Sequence, residues 1–170
     1  REDEAGTLSR LFTTPTPLAA ILGGKFAAII FTLVVQILVL LGASALLFGI
    51  GWGRPLSVTL AAAGLIVAAA GFGVLIMSFT RTTRQTGPVM GVVLTLTGML
   101  GGLFTTAIPN VPGFFDVVYL TVPQGWALRA WELCLEGAAP ADLVLPVAVL
   151  FAFGALFLAV GARLFRRRFA

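Results

Sequence analysis

The stretch Phe26–Gly53, FAAIIFTLVVQILVLLGASALLFGIGWG, carries no charge from one end to the other. A helix rises about 1.5 Å per residue, so the ~30 Å hydrocarbon core of a bilayer takes roughly 20 apolar residues to cross. This stretch is long enough. Three more uncharged stretches follow it: Pro55–Thr80, Gln85–Phe115 and Leu143–Ala162. Four such stretches in 170 residues leave little room for a water-soluble domain. The expected fold is therefore an all-α membrane protein with four transmembrane helices, over about residues 26–50, 57–79, 87–106 and 143–162.

Composition supports this: 59% of residues are hydrophobic, 11% are charged, and the mean hydropathy is +1.05. The formal charge of +4 does not indicate nucleic-acid binding, because no basic groove with interleaved aromatics is visible. If the four spans alternate, Arg1, Arg10, Lys25, Arg81, Arg84, Arg163 and Arg166–Arg168 share one side, and only Arg54 and Arg129 face the other. Positive charge collects in cytoplasmic loops, so both chain ends are expected in the cytoplasm of a plasma (inner) membrane.

The spans differ in character. The first ends in Gly49-Ile50-Gly51-Trp52-Gly53-Arg54-Pro55, a tight turn with an interfacial Trp. The second is rich in Ala and Gly, from Ala61 to Gly73, which lets helices approach closely in lipid and predicts packing between neighbours. The third opens at Gly87-Pro88 and holds Gly87/Gly91 and Gly98/Gly102 at GxxxG spacing, with Thr95 and Thr97 between. Threonines here are expected to bond back to their own helix, with a contact to a transported molecule as the competing role. Residues 107–141 are broken by Pro109, Pro112, Pro123 and Pro140, yet stay apolar through Phe114, Tyr119, Trp126 and Trp131. That combination predicts a re-entrant or interfacial outer hairpin whose backbone groups are buried in protein.

Residues 1–24 form a separate polar head, expected to lie in the cytoplasm. Leu8, Leu11 and Phe12 recur on one helical face behind Thr7 as N-cap, and Glu2, Asp3 and Glu4 precede the helix where its dipole favours negative charge. This amphipathic helix suits either a lipid surface or a protein partner.

Catalytic machinery is sparse. Without histidine the chain cannot build Ser-His or Cys-His pairs or the usual zinc triads, and none of the four spans contains Asp or Glu. No Gly-rich phosphate loop ending in Lys-Ser/Thr is present, so ATP hydrolysis is not expected here. No metal site is expected, and Cys134 reads as a bland apolar residue. Asp116, Glu132, Glu136 and Asp142 could serve a membrane-surface enzyme, but read more simply as topological punctuation.

The head carries a more specific signal. Glu4-Ala5-Gly6-Thr7-Leu8-Ser9-Arg10-Leu11-Phe12-Thr13-Thr14-Pro15, followed by Gly24-Lys25, resembles the cytoplasmic loop of type-2 ABC exporter permeases. The order of spans, basic loop, Pro-broken hairpin and final Arg166–Arg168 cluster is similar to that family throughout. The resemblance implies a permease subunit that exports a hydrophobic or amphipathic substrate, such as a drug or lipid. It implies pairing with a second permease half, as homodimer or heterodimer, and with a separate ABC ATPase that binds the ATP and Mg. It further implies that Glu4, Gly6, Thr7, Leu8, Arg10 and Leu11 form the ATPase-coupling helix. The third span would then contribute Thr95 and Thr97 to the substrate pathway. Because the chain starts at Arg1-Glu2-Asp3-Glu4, it reads as the carboxyl-terminal portion of such a permease, with two membrane helices before it. A non-transporting multipass scaffold or assembly factor is the alternative reading, and an outer-face lipid-modifying enzyme using Asp116 and Glu132 a third.

Overall fold

The structure is a computed structural model that describes residues 18–80, 82–103 and 115–169. Those residues are helical with short turns between, as an apolar chain without water must be if its backbone groups are to pair within each segment. Helix α1 is Leu18–Phe48, α2 Pro55–Phe79, α3 Thr83–Leu100, α4 Phe115–Val118, α5 Pro123–Leu135 and α6 Val144–Phe169. Single 3₁₀ turns, Tyr119–Thr121 and Pro140–Leu143, lead into α5 and α6. Among the described residues, three segments are long and apolar enough to cross a membrane: Ala27–Phe48, Pro55–Phe79 and Pro140–Leu164.

Two of the expected boundaries shift. The polar head is expected to reach residue 24, but α1 is already helical at Leu18, the first described residue, and runs without a break through Gly23, Gly24 and Lys25. The third span was expected over 87–106 with Pro88 in its first turn. Helix α3 starts earlier, at Thr83, so Pro88 lies inside it and removes the N–H that would meet the Arg84 carbonyl. At its far end α3 stops at Leu100. The Gly101 N–H donates back to Thr97 O at 2.8 Å, and Gly102 turns the chain at φ +78°. Residues 104–106 lie outside the described residues.

The core is a parallel pair, α2 with α6. Along the seam, buried positions on α2 include Ser57, Ala61, Gly64, Ala68 and Gly71, and those on α6 include Val147, Leu150, Gly154 and Gly161, continuing from Leu143. The steps are four and three residues, with seven from Gly154 to Gly161, which matches the 3.5-residue period of a left-handed helix pair. Small side chains on α2 let the backbones meet. A Cβ placed on Gly154 would sit 2.6 Å from Val67 Cγ1 and 2.7 Å from Val67 O, and one on Gly71 would sit 3.0 Å from Gly154 Cα. The second span is packed between neighbours, as its composition predicts; α1 is its opposite, with none of its apolar span buried.

Helix α5 fills the groove between α2 and α6. Ala130 and Cys134 join Ala61, Leu143 and Val147 in one cluster, while Ala127 joins Ala68 and Leu150 in another. Moving along α5 from Cys134 back to Ala127 thus steps along α2 from Ala61 to Ala68, away from the Arg54 end. Ala68 lies about 20 Å along α2 from Pro55, so α5 runs beside the first half of that helix. Its face toward the pair, Pro123, Gly125, Ala127, Ala130 and Cys134, is buried. Cys134, at 0% exposure, is a core residue.

The Arg54 end is tied by polar contacts. Ser57, fully buried, donates to Ala138 O at 3.0 Å, and Asp142 Oδ2 accepts from the Ala139 N–H at 3.0 Å. Trp52 donates its indole N–H to Ser44 Oγ at 3.0 Å and sets its ring edge-on to Trp131, centroids 5.4 Å apart at 71°. Gly53 has φ +77°, and a Cβ there would run into the Cys134 carbonyl oxygen. The expected turn is present, and through Trp52 it fastens α1 to α5.

Candidate functional site

The residues expected to meet an ATPase, Glu4, Gly6, Thr7, Leu8, Arg10 and Leu11, lie outside the described residues. The two expected pathway threonines are on α3. Thr95 is exposed on that helix, and Thr97 is partly buried. Thr97 Oγ1 donates to Val93 O at 2.7 Å, the backbone bond expected of a threonine in an apolar helix. Thr32, Thr59 and Thr86 do the same to the residue four back in their helices.

Thr97 also has a second partner that the sequence reading missed. Gln124 donates from Nε2 to Thr97 Oγ1 at 2.7 Å. The donor and acceptor count supports this amide orientation. The single hydroxyl proton of Thr97 is committed to Val93 O, so the oxygen is free to accept and Gln124 must donate. Gln124 Oε1 is buried, with no hydrogen-bond partner among the described residues. The available signal was a lone glutamine after Pro123, at the head of an apolar helical run. In a low-dielectric setting such a group needs a specific polar neighbour.

Local structure places Gln124 opposite Thr97. Pro123 starts α5 at its first position, where its missing N–H is not needed, and Val122 before it is extended at φ −124°. The preceding 3₁₀ turn folds back on α5, with Trp126 Nε1 donating to Leu120 O at 2.7 Å. At the end of α3, Gly98 and the turn residues Gly101 and Gly102 are buried, whereas Gly87 and Gly91 are exposed. Of the two GxxxG pairs, only the second packs. A Cβ on Gly101 would come 2.6 Å from Gln124 Cβ and 3.0 Å from the Gly125 nitrogen, so glycine permits α3 to reach α5. Val92, Leu94, Leu96, Met99 and Leu100 on the remainder of α3 are exposed.

Two of the four carboxylates considered for surface chemistry have local partners. Glu132 pairs with Arg129 at 3.6 Å on an exposed face, and Asp142 holds the turn before α6. Asp116 is in α4, and its side chain lies outside the described residues.

Comparison with known proteins agrees with this architecture. The chain is 28% identical over 162 residues to the linearmycin resistance permease protein LnrN of Bacillus subtilis (strain 168), covering 95% of this chain. The chain spans 42% of the length of that relative. No solved structure matches it significantly. The profile of the ABC-2 type transporter family matches residues 1–132, from the polar head to α5. The chain therefore belongs to the ABC-2 type transporter family.

Proposed function

We propose that this chain is part of the transmembrane permease subunit of an ATP-driven exporter. It moves a hydrophobic or amphipathic molecule out of the cytoplasm together with a second permease half and a separate ABC ATPase. The observation that carries this reading is the family match, which runs from the polar head through the spans to the re-entrant helix. The chain supplies no phosphate-binding loop, so the energy source lies on the partner. Resistance named for a permease relative suits outward movement of a harmful compound.

In this reading Glu4, Gly6, Thr7, Leu8, Arg10 and Leu11 seat in the ATPase, with Leu8 and Leu11 giving the apolar docking face and the charges steering it. The unbroken helix from Leu18 to Phe48 suits a lever, because a helix carries displacement along its axis without absorbing it at a hinge. Thr95 and Thr97 line the pathway on the α3 side. The basic residues Lys25, Arg84 and Arg163 support a cytoplasmic location for the ends that carry them, on the inner side of the plasma membrane.

The test is co-purification and proteoliposome transport with the cognate ATPase, comparing wild type with the Leu8→Asp/Leu11→Asp double variant. Loss of ATPase association and of ATP-dependent transport is expected. Association and transport equal to wild type would refute the coupling assignment.

A further inference from the structure

We infer that Gln124 is a positioning residue that fastens α3 releasably to the re-entrant helix α5, through its hydrogen bond to Thr97. Three observations carry this. Among the described residues, α3 leaves Val92, Leu94, Leu96, Met99 and Leu100 exposed, and the buried glycines are Gly98 and, in the turn that follows, Gly101 and Gly102. The Gln124–Thr97 contact, at 2.7 Å, is the side-chain bond that joins the two helices where Gly101 meets Gln124 and Gly125. The Gln124 amide is half satisfied, because its Oε1 is buried with no hydrogen-bond partner among the described residues. A buried acceptor without a partner offsets much of what the amide N–H gains. The closed junction is therefore held close to balance, unlike the fully matched Ser57–Ala138 bond in the α2–α6 core. Opening returns the Gln124 oxygen to donors outside the junction. In transport, which rests on the reading above, closing and opening would move the α3 wall against α5.

The experiment uses the full-length permease in lipid nanodiscs, without nucleotide or cargo. Spin labels replace Leu96 on α3 and Arg129 on α5, both exposed, in a Cys134→Ala background with other reactive cysteines removed. Pulsed electron resonance should show two distance populations. Thr97→Val, which leaves the whole Gln124 amide unpaired, should raise the open-to-closed ratio about three- to tenfold, whereas Gln124→Leu, which removes the unpartnered oxygen together with the bond, should raise it by less. The double variant should exceed neither single by more than about twofold, because both changes remove the same bond. Thr97→Ser keeps the hydroxyl and should restore the wild-type ratio, which separates the bond from general loss of packing. One unchanging distance in every variant, additive effects in the double variant, or Thr97→Ser behaving like Thr97→Val would each overturn the inference. Because no nucleotide or cargo is present, failed transport leaves this result standing, and unchanged distances leave the transport reading standing.

Discussion

Adding a single methyl group at Gly154 should damage the protein more than its size suggests. In Gly154→Ala the new Cβ would lie 2.6 Å from Val67 Cγ1, 2.7 Å from Val67 O and 2.9 Å from Val67 C. Ordinary contact begins near 3.4 Å, and two of these atoms are backbone, which cannot rotate away. Helices α2 and α6 must therefore separate locally by somewhat under ~1 Å. A radial gap of 0.5–1 Å forfeits about a quarter to a half of each dispersion contact along the seam, and overpacking of this kind typically costs about 1–3 kcal/mol. Gly73→Ala supplies the control on α2 itself, since a Cβ there meets nothing within 4 Å. Helix propensity alone makes that change neutral or stabilising by up to ~1 kcal/mol. SDS titration of the purified full-length permease in bicelles, followed by tryptophan fluorescence, measures both. The expected result is a destabilised Gly154→Ala and an unharmed Gly73→Ala. Equal midpoints, within about 0.3 kcal/mol of each other, would refute the close-packed seam.

Ser57→Ala should lower stability by about 1 kcal/mol in the same titration, because it strips the Ala138 carbonyl of its buried donor. Trp52→Phe keeps an aromatic ring against Trp131 but loses the N–H to Ser44, so it should cost about 0.5–1 kcal/mol. Trp52→Ala, which removes the ring contact as well, should cost clearly more in that titration. Gly53→Ala forces a side chain into a φ of +77° and into the Cys134 carbonyl, and should lower the unfolding midpoint by about 1–3 kcal/mol; a wild-type midpoint would contradict the turn geometry.

Much of this architecture was legible because lipid removes alternatives. An apolar, uncharged run must be helical in a membrane, so α1, α2 and α6 followed from charge placement alone. The Ala- and Gly-rich run from Ala61 to Gly73 foretold close packing, since small side chains have little other use in a membrane helix. Its partner was harder to see. Gly154 and Gly161 sit seven residues apart among large residues, and their role emerges only when α2 is laid beside them. The end of α3 was misjudged because Thr105 and Thr106 continue the uncharged run past the turn at Gly101–Leu103. Composition carries no sign of a stop when the breaker is a glycine pair within an apolar sequence. Thr97 was singled out for its position, but Gln124 was not. Their pairing depends on a contact between segments 27 residues apart.

The parallel pairing of α2 with α6 also sets an order on how the chain is made. Phe79 leaves the ribosome well before Val144, and at about 5–20 residues per second the gap lasts roughly 3–13 s. Throughout that interval the Ala/Gly face of α2 has no α6 to receive it, and α5, whose groove needs both helices, has nowhere to settle. Helix α5 waits with the Gln124 amide, Arg129 and Glu132 along its length. Its insertion is therefore a late event, completed when α6 arrives and not when its own residues emerge.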